Sequence, residues 1–289
     1  MKLSVFSHCA IDTINLNGLT HEQIGGAACY CSVMARQFKF DVDLHTKFGD
    51  DFPSGYFDEN KIKIENGLSK KTTTRFEINI DGANRTLKLT NQCDPIEFSK
   101  FDSDGTIVSP IFNELSSDVY SKIKSDSNFL LVDPQGFLRK VDSANNVYLK
   151  KHELDLSGVH AIKVNTDELE SLVGTTGDEG MLSLQKKGVE NVILTNKIDV
   201  SLLVKDRIYS ITLPNKKIHD TTGIGDIFCA AFCCTMLKEK DFLWALCFGG
   251  GAAQAALDSK DIGLLKIPKK GAVETNASYF YNLVKYRQV

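Results

Sequence analysis

No glycine in the 289-residue chain is followed by lysine, so the phosphate loop of the P-loop enzymes is excluded. No GxSxG segment occurs, which removes the nucleophile elbow of the α/β-hydrolases. The six histidines are dispersed and suggest neither a triad nor a metal site. The eight cysteines (Cys9, Cys29, Cys31, Cys93, Cys229, Cys233, Cys234, Cys247) form no CxxC pair, and no histidine pair lies nearby at zinc spacing. They read as reduced thiols of the core. Only six prolines and no low-complexity run argue against disordered tails. No apolar run approaches the ~20 residues of a membrane helix, and the first apolar stretch is too short for a signal peptide. A cytoplasmic protein without a membrane partner is expected. A net charge of −3, with lysine pairs such as Lys70–Lys71, Lys186–Lys187 and Lys216–Lys217 scattered, gives no basic patch for nucleic acid.

What is present is an ordinary globular composition, 42% hydrophobic and 25% charged, in a length that suits one α/β domain spanning 1–289. Short β-branched runs at 2–6, 42–46, 106–109, 129–132, 160–164 and 191–195 alternate with helical segments near 26–38, 113–124, 166–173 and 179–187. The strands are apolar on both faces, as in a parallel sheet covered by helices. The pattern predicts a doubly wound α/β fold with a mostly parallel sheet. Residues 61–90 break the rhythm. Their alternating stretches, with turn signals at Asn66–Gly67 and Asp81–Gly82, predict a small antiparallel sheet, a lid or subunit contact, to which residues near 12–18 add a strand. The segment after Gly225 is apolar all round and predicts a buried helix. Residues 242–257 are its packing partner, with Gly249, Gly250 and Gly251 permitting close approach.

Ligands of open α/β sheets bind beyond the carboxyl ends of the strands. Polar residues follow those ends: Asp12; Asn113 and Glu114; Asp133, Gln135 and Arg139; Asn165 and Glu168; Thr195. Each alone reads as a cap or turn residue, and Asp133–Pro134 as a turn. Together they suggest a polar cleft that tolerates a metal. The stretch "HDTTGIGDIFCAAFCC" (219–234) adds a glycine turn opening onto the buried helix. The N–H groups of Gly223, Ile224, Gly225 and Asp226 would face an anion at the helix N-terminus. Asp226 could take a proton from a hydroxyl attacking a phosphoryl group there, and a carboxylate of ordinary pKa would suffice because phosphoryl transfer relies on positioning and charge. The other reading is an acid that only complements the helix dipole, worth about 0.3–1 kcal/mol.

The motifs resemble those of the ribokinase-like, or PfkB, carbohydrate kinases. "DTTGIGD" (220–226) is similar to the signature DTxGxGD, "IGGAACYCSVMARQF" (24–38) to the double-glycine signature, "TKFGDDF" (46–52) to the turn that follows it, and "KVNTDEL" (163–169) to the NxxE motif. "DPQGFLR" (133–139) and Tyr30, where many relatives have Asn, resemble a subgroup that includes archaeal nucleoside and inositol kinases. The resemblance implies that Asp226 is the base and that Gly223, Ile224 and Gly225 form the anion hole. It implies substrate contacts at Asp12, Gly25, Gly26, Gln135 and Arg139, and nucleotide contacts at Thr195, Asn165, Gly223 and Gly225. Asn165 and Glu168 would organise Mg²⁺, through water. It further implies ATP as co-substrate, a small polyol (sugar, cyclitol or nucleoside) as acceptor, room for a monovalent cation, and a β-sheet lid at about 12–18 and 61–95 that can form a homodimer. The family's TxGxxG appears as "TNKIDV" (195–200), where Lys197 and Val200 replace both glycines. That departure motivates an alternative, a catalytically weak small-molecule-binding protein on the kinase fold. A dinucleotide oxidoreductase lacks its fingerprint, because Phe228 stands at the third glycine position of GxGxxG.

Overall fold

The computed structural model describes residues 1–16, 18–81, 84–214 and 220–289. The turn expected at Gly82, the Lys216–Lys217 pair and His219 lie outside the described residues. The first third holds β1 (Lys2–Phe6), β2 (Ala10–Leu16), β3 (Leu19–Gly25), α1 (Ala27–Gln37), β4 (Asp41–His45), α2 (Gly55–Glu59), β5 (Lys63–Ile64), β6 (Thr74–Asp81) and β7 (Asn84–Asn91). The middle holds β8 (Gly105–Val108), α3 (Ser117–Asp126), β9 (Leu130–Val132), α4 (Gln135–Leu138), β10 (Arg139–Val141), β11 (Val147–Leu149), β12 (Ala161–Asn165), α5 (Thr166–Val173) and α6 (Gly177–Lys186). The remainder is β13 (Asn191–Asn196), β14 (Asp199–Val204), β15 (Arg207–Thr212), α7 (Ile224–Glu239), α8 (Phe242–Leu257), a 3₁₀ turn (Gly263–Lys266), α9 (Lys270–Tyr281) and β16 (Lys285–Gln288).

The central sheet runs β16-β15-β14-β13-β12-β9-β8-β1-β4-β5. It is parallel from β13 to β5, and β14, β15 and β16 add antiparallel strands at one edge. The apolar runs are explained by burial on both faces. Val5, Ile107 and Leu131 point to one layer with α1, α7 and α8. Their neighbours Phe6, Val108 and Val132 point to the other, with α3, α5 and α6. α7 and α8 are buried along most of their length, and the glycines work as expected: a Cβ on Gly249 would lie 2.7 Å from the Phe228 ring, and one on Gly250 2.3 Å from Ile211.

Two expectations need correction. Helix α3 begins at Ser117 rather than near 113, because Ser116 caps it by accepting from Val119 N. The residues before it are held as a loop by Glu114, whose buried carboxylate accepts from the N–H groups of His8, Ile111 and Phe112. Glu114 therefore serves the backbone and does not line the cleft. The small sheet has the order β3-β2-β6-β7, and β2 pairs with β6 in parallel while its other pairings are antiparallel. The 61–73 segment is not part of it. β5 joins the central sheet beside β4 instead, and residues 92–95 form no strand. Strand β3, unforeseen, brings the chain from the small sheet directly into α1.

Candidate active site

A cavity of about 260 Å³ opens between the carboxyl ends of β9 and β12, the N-termini of α1 and α7, and the inner face of the small sheet. The small sheet supplies Asp12, Phe76, Ile78, Arg85 and Leu87 to its wall. The central domain supplies Tyr30, Asp133, Gln135, Arg139, Lys163, Asn165, Glu168, Gly223, Gly225 and Asp226. Residues separated by more than 200 positions thus meet in one polar space.

The turn into α7 is shaped by Gly223, which caps the helix at φ 74. A side chain there would be strained, and its Cβ would lie 2.4 Å from the Tyr30 ring. Ile227 N donates to Gly223 O, starting the helix. Gly223 and Gly225 line the cavity; Ile224 does not, and its N–H is directed at Thr221 O, 3.4 Å away. Asp226, in the first turn, is 8% exposed and its Oδ1 lies 3.3 Å from Ser109 Oγ at the end of β8. Its pKa is not ordinary. Burial pushes it up to about 7, the Asp133 charge adds to that, and Lys163, Ser109 and Arg139 pull the other way.

The double glycine plays the matching part at α1. Gly26 caps that helix at φ 82, and a Cβ there would lie 2.5 Å from His8 O, so the backbone can approach the cavity wall only as glycine. Gly25 does not line the cavity; it packs against the Asp12 carboxylate. Asp12, on β2, is also pushed up to about 7 by burial, partly offset by Arg85 and Arg139. Arg139 donates to Ile111 O at 2.9 Å and its guanidinium lies 5.9 Å from the Phe76 ring of the small sheet. Gln135 lines the cavity beside it, its N–H bonded to Asp133 Oδ1.

Asn165 and Glu168 form a capping box. Asn165 Oδ1 accepts from Glu168 N, and Glu168 Oε2 accepts from Asn165 N, both at 2.8 Å. The NxxE spacing is therefore first of all the start of α5, with both side chains at the cavity. Asn165 Oδ1 and Glu168 Oε2 are engaged in this box, and Glu168 Oε1 lies outside it. Thr195 does not line the cavity; its hydroxyl donates to Val164 O. The segment "TNKIDV" spans the end of β13, the two-residue turn Lys197–Ile198 and the start of β14, and Lys197 sits at φ 54. The backbone at this position thus adopts a left-handed conformation that glycine would favour, with a charged side chain added.

Sequence reasoning missed one residue at the heart of the site, Lys163, and left its partner Asp133 as one strand-end acid among several. Lys163 Nζ is 2.9 Å from Asp133 Oδ2 and 3.9 Å from Glu168 Oε2, all three side chains being at least nine-tenths buried. Its ammonium is also 3.0 Å from where a Gly225 Cβ would stand, which sets it against the α7 turn. Burial opposes the charge, yet the Asp133 and Glu168 carboxylates hold Lys163 protonated, above its ordinary value. A signal existed: Lys163 interrupts an apolar strand, and Asp133 ends the strand beside it. Val132 pairs with Ile162 in parallel register, so the next residues of the two strands are neighbours. A third feature is Tyr30, 1% exposed, whose hydroxyl finds no hydrogen-bond partner among the described residues although the ring lines the cavity. Among the described residues no cluster of His, Cys, Asp and Glu could hold a metal directly, and all eight cysteines are buried and free. No helix among them is long and apolar enough to cross a membrane.

Known proteins resemble this chain in sequence or in fold. The chain is 28% identical over 240 residues to the inositol 3-kinase of Arabidopsis thaliana, an alignment covering 78% of this chain and 65% of that protein's length. A solved pyrophosphate-dependent kinase of the ribokinase family, complexed with a pyrophosphate analog and myo-inositol, superposes with a TM-score of 0.78 at 19% identity over 88% of this chain and 94% of its own. The ribokinase of Arabidopsis thaliana, complexed with ribose and ATP, gives 0.76 at 14% identity over 96% and 98%. The family described as pfkB family carbohydrate kinase matches residues 5–269, nearly the whole fold and every cavity residue named above. The chain belongs to the pfkB family of carbohydrate kinases.

Proposed function

We propose that this protein transfers a phosphoryl group to a hydroxyl of a small polyol, and that the polyol is a cyclitol of the inositol kind. The observation that carries the reading is the buried Asp226 carboxylate at the first turn of α7, in one cavity with Lys163, Arg139 and the lid carboxylate Asp12. The acceptor hydroxyl gives its proton to Asp226 as its oxygen bonds to the terminal phosphorus of the donor, and the bond from that phosphorus to the rest of the donor breaks, so the donor departs one phosphoryl group shorter. The transferring phosphoryl group lies against the N–H groups of Gly223 and Gly225 and the ammonium of Lys163, which oppose the charge spread over its oxygens. Asp12 and Arg139 orient the polyol through its other hydroxyls, with Gln135, Gly26 and the unpartnered Tyr30 hydroxyl beside them. The lid closes the space from water, so that transfer outruns hydrolysis. The cyclitol is favoured by the relation to a plant inositol 3-kinase.

ATP is the donor on this reading, and Mg²⁺, held through water by Asn165 and Glu168, would neutralise its phosphates. A second reading of the donor is favoured by Lys197. A lysine side chain in the turn where the nucleotide motif has glycine supplies charge for a bare pyrophosphate, and a relative of similar fold is pyrophosphate-dependent. A homodimer through the lid is in keeping with Leu19, 74% exposed at the β2–β3 turn, and light scattering tests it.

The test is a matrix of acceptors (inositols, sugars, nucleosides) against ATP and pyrophosphate, each with Mg²⁺, read by phosphorylated product. Product from myo-inositol with one donor is the expected result. Calorimetric binding of a polyol without turnover on any donor would favour a binding protein and overturn the kinase reading.

A further inference from the structure

The α7 turn is tied down from behind by a residue outside the cavity lining. Lys266 closes the 3₁₀ turn that follows α8, and its side chain is 0% exposed. Its Nζ lies 2.8 Å from Asp220 Oδ2 and donates to Asp220 O at 3.2 Å. The same ammonium sits 5.8 Å from the centre of the Tyr30 ring. Asp220 opens the turn, and its carboxylate is fully engaged: Oδ1 accepts from Thr222 N at 2.8 Å, Oδ2 from Gly263 N at 2.9 Å. The Tyr30 ring, in turn, is the surface against which Gly223 packs. Thr222 and Gly223 are thus fixed by two groups, Asp220 and Tyr30, and Lys266 touches both.

A fully buried ammonium is a costly way to join two loops, because an apolar contact of the same size stabilises a fold as well or better. What the charge adds is direction. A carboxylate oxygen, a backbone carbonyl and an aromatic face converge on Nζ, a set that suits a monovalent cation of ammonium size. Burial acts to raise the Asp220 pKa, but the Lys266 charge and hydrogen bond, joined by the N–H groups of Gly263 and Thr222, outweigh it and hold the carboxylate below its usual range.

We propose that Lys266 is a positioning residue, an internal cation that fixes the phosphate-binding turn from behind and frees the protein from any need for an added monovalent cation. The inference rests on the reading that this turn holds phosphoryl oxygens. It also gives the monovalent cation expected from the sequence a covalent counterpart within the chain.

Wild type, Lys266→Ala and the neutral, space-filling Lys266→Met are compared in tetramethylammonium buffer, with and without K⁺ or NH₄⁺. Pyrophosphate affinity is read by calorimetry, folding by thermal melting, and kcat and acceptor KM by product formation. Wild type is expected to bind pyrophosphate equally well with and without K⁺. Lys266→Ala is expected to lose about 10²-fold in kcat with little change in acceptor KM, the effect of a displaced catalytic turn, and to lose pyrophosphate affinity with it. K⁺ or NH₄⁺ restores Lys266→Ala, whose cavity admits the ion, and not Lys266→Met. Activation of wild type by K⁺ overturns the proposal. So does a folded Lys266→Ala with wild-type pyrophosphate affinity, or one whose defect no cation relieves. Wild type that binds no pyrophosphate removes the phosphate-binding turn and the proposal together. If wild type binds pyrophosphate and Lys266→Ala needs a cation to do so, yet no acceptor is phosphorylated, Lys266 stands and the kinase reading fails.

Discussion

Replacing Asp226 by Asn should abolish most activity and at the same time stabilise the fold, and the two effects share one cause. Asp226 is 8% exposed and its pKa stands at about 7 against the usual 3.8. Each pH unit by which a folded pKa exceeds the unfolded one costs about 1.4 kcal/mol once the pH is above both. The ionised Asp226 therefore costs the fold about 4 kcal/mol at pH 8. The sign follows from proton counting. Between pH 4 and pH 7 the folded chain holds a proton that the unfolded chain has released, so stability falls as the pH rises through this window. Asp226→Asn cannot titrate and escapes the loss. Urea denaturation of both proteins at pH 4.5 and pH 8 should show the variant's advantage growing by roughly 3–4 kcal/mol over that span. Asp12, which is shifted in the same direction, cancels in the difference. Turnover should fall about 10²–10⁴-fold, the range for a general base. Wild-type kcat/KM should rise with pH and level off above about 7, as the base ionises. A stability difference independent of pH would refute the assignment of a desolvated charge to Asp226, and near-wild-type turnover would refute its role as base.

Lys163→Met should move the kcat/KM profile to higher pH, because the cation that pulls the Asp226 pKa down is gone; an unmoved profile would separate Lys163 from the base. The same change leaves Asp133 buried without its partner and should cost about 3–5 kcal/mol near neutral pH by urea denaturation. Gly223→Ala meets both a left-handed backbone and the Tyr30 ring, and should lower stability by at least about 2 kcal/mol and eliminate turnover. Gly55→Ala, at a helix start with open space around it, should change neither activity nor stability by more than about 1 kcal/mol, which makes it the control. Tyr30→Phe removes a buried hydroxyl that lacks a partner, so the empty protein should be no less stable while the acceptor KM rises; an unchanged KM would remove Tyr30 from the substrate side.

The sequence alone determined what depends on neighbours along the chain. The strands at 2–6, 42–46 and 191–195 were legible because burial on both faces of a covered sheet leaves an uninterrupted apolar run. The capping box of Asn165 and Glu168 and the glycine turn at 223–225 were legible because each is closed by hydrogen bonds or backbone angles within a few residues. Only the tertiary structure decided which distant groups meet. Lys163 passed unremarked within its strand, and Asp133 was one strand-end acid among several, until the parallel register of β9 and β12 set them side by side. Lys266 and Asp220 lie 46 residues apart and left no mark on local periodicity. That residues near 12–18 join the small sheet was legible, but the parallel pairing of β2 with β6 and the transfer of β5 to the central sheet were not, because alternation tells which face of a strand is buried and not which strand lies beside it. The elevated pKa of Asp226 belongs with these. A carboxylate's type is fixed by the sequence, but its charge is set by how much water and how many opposing charges the fold leaves around it.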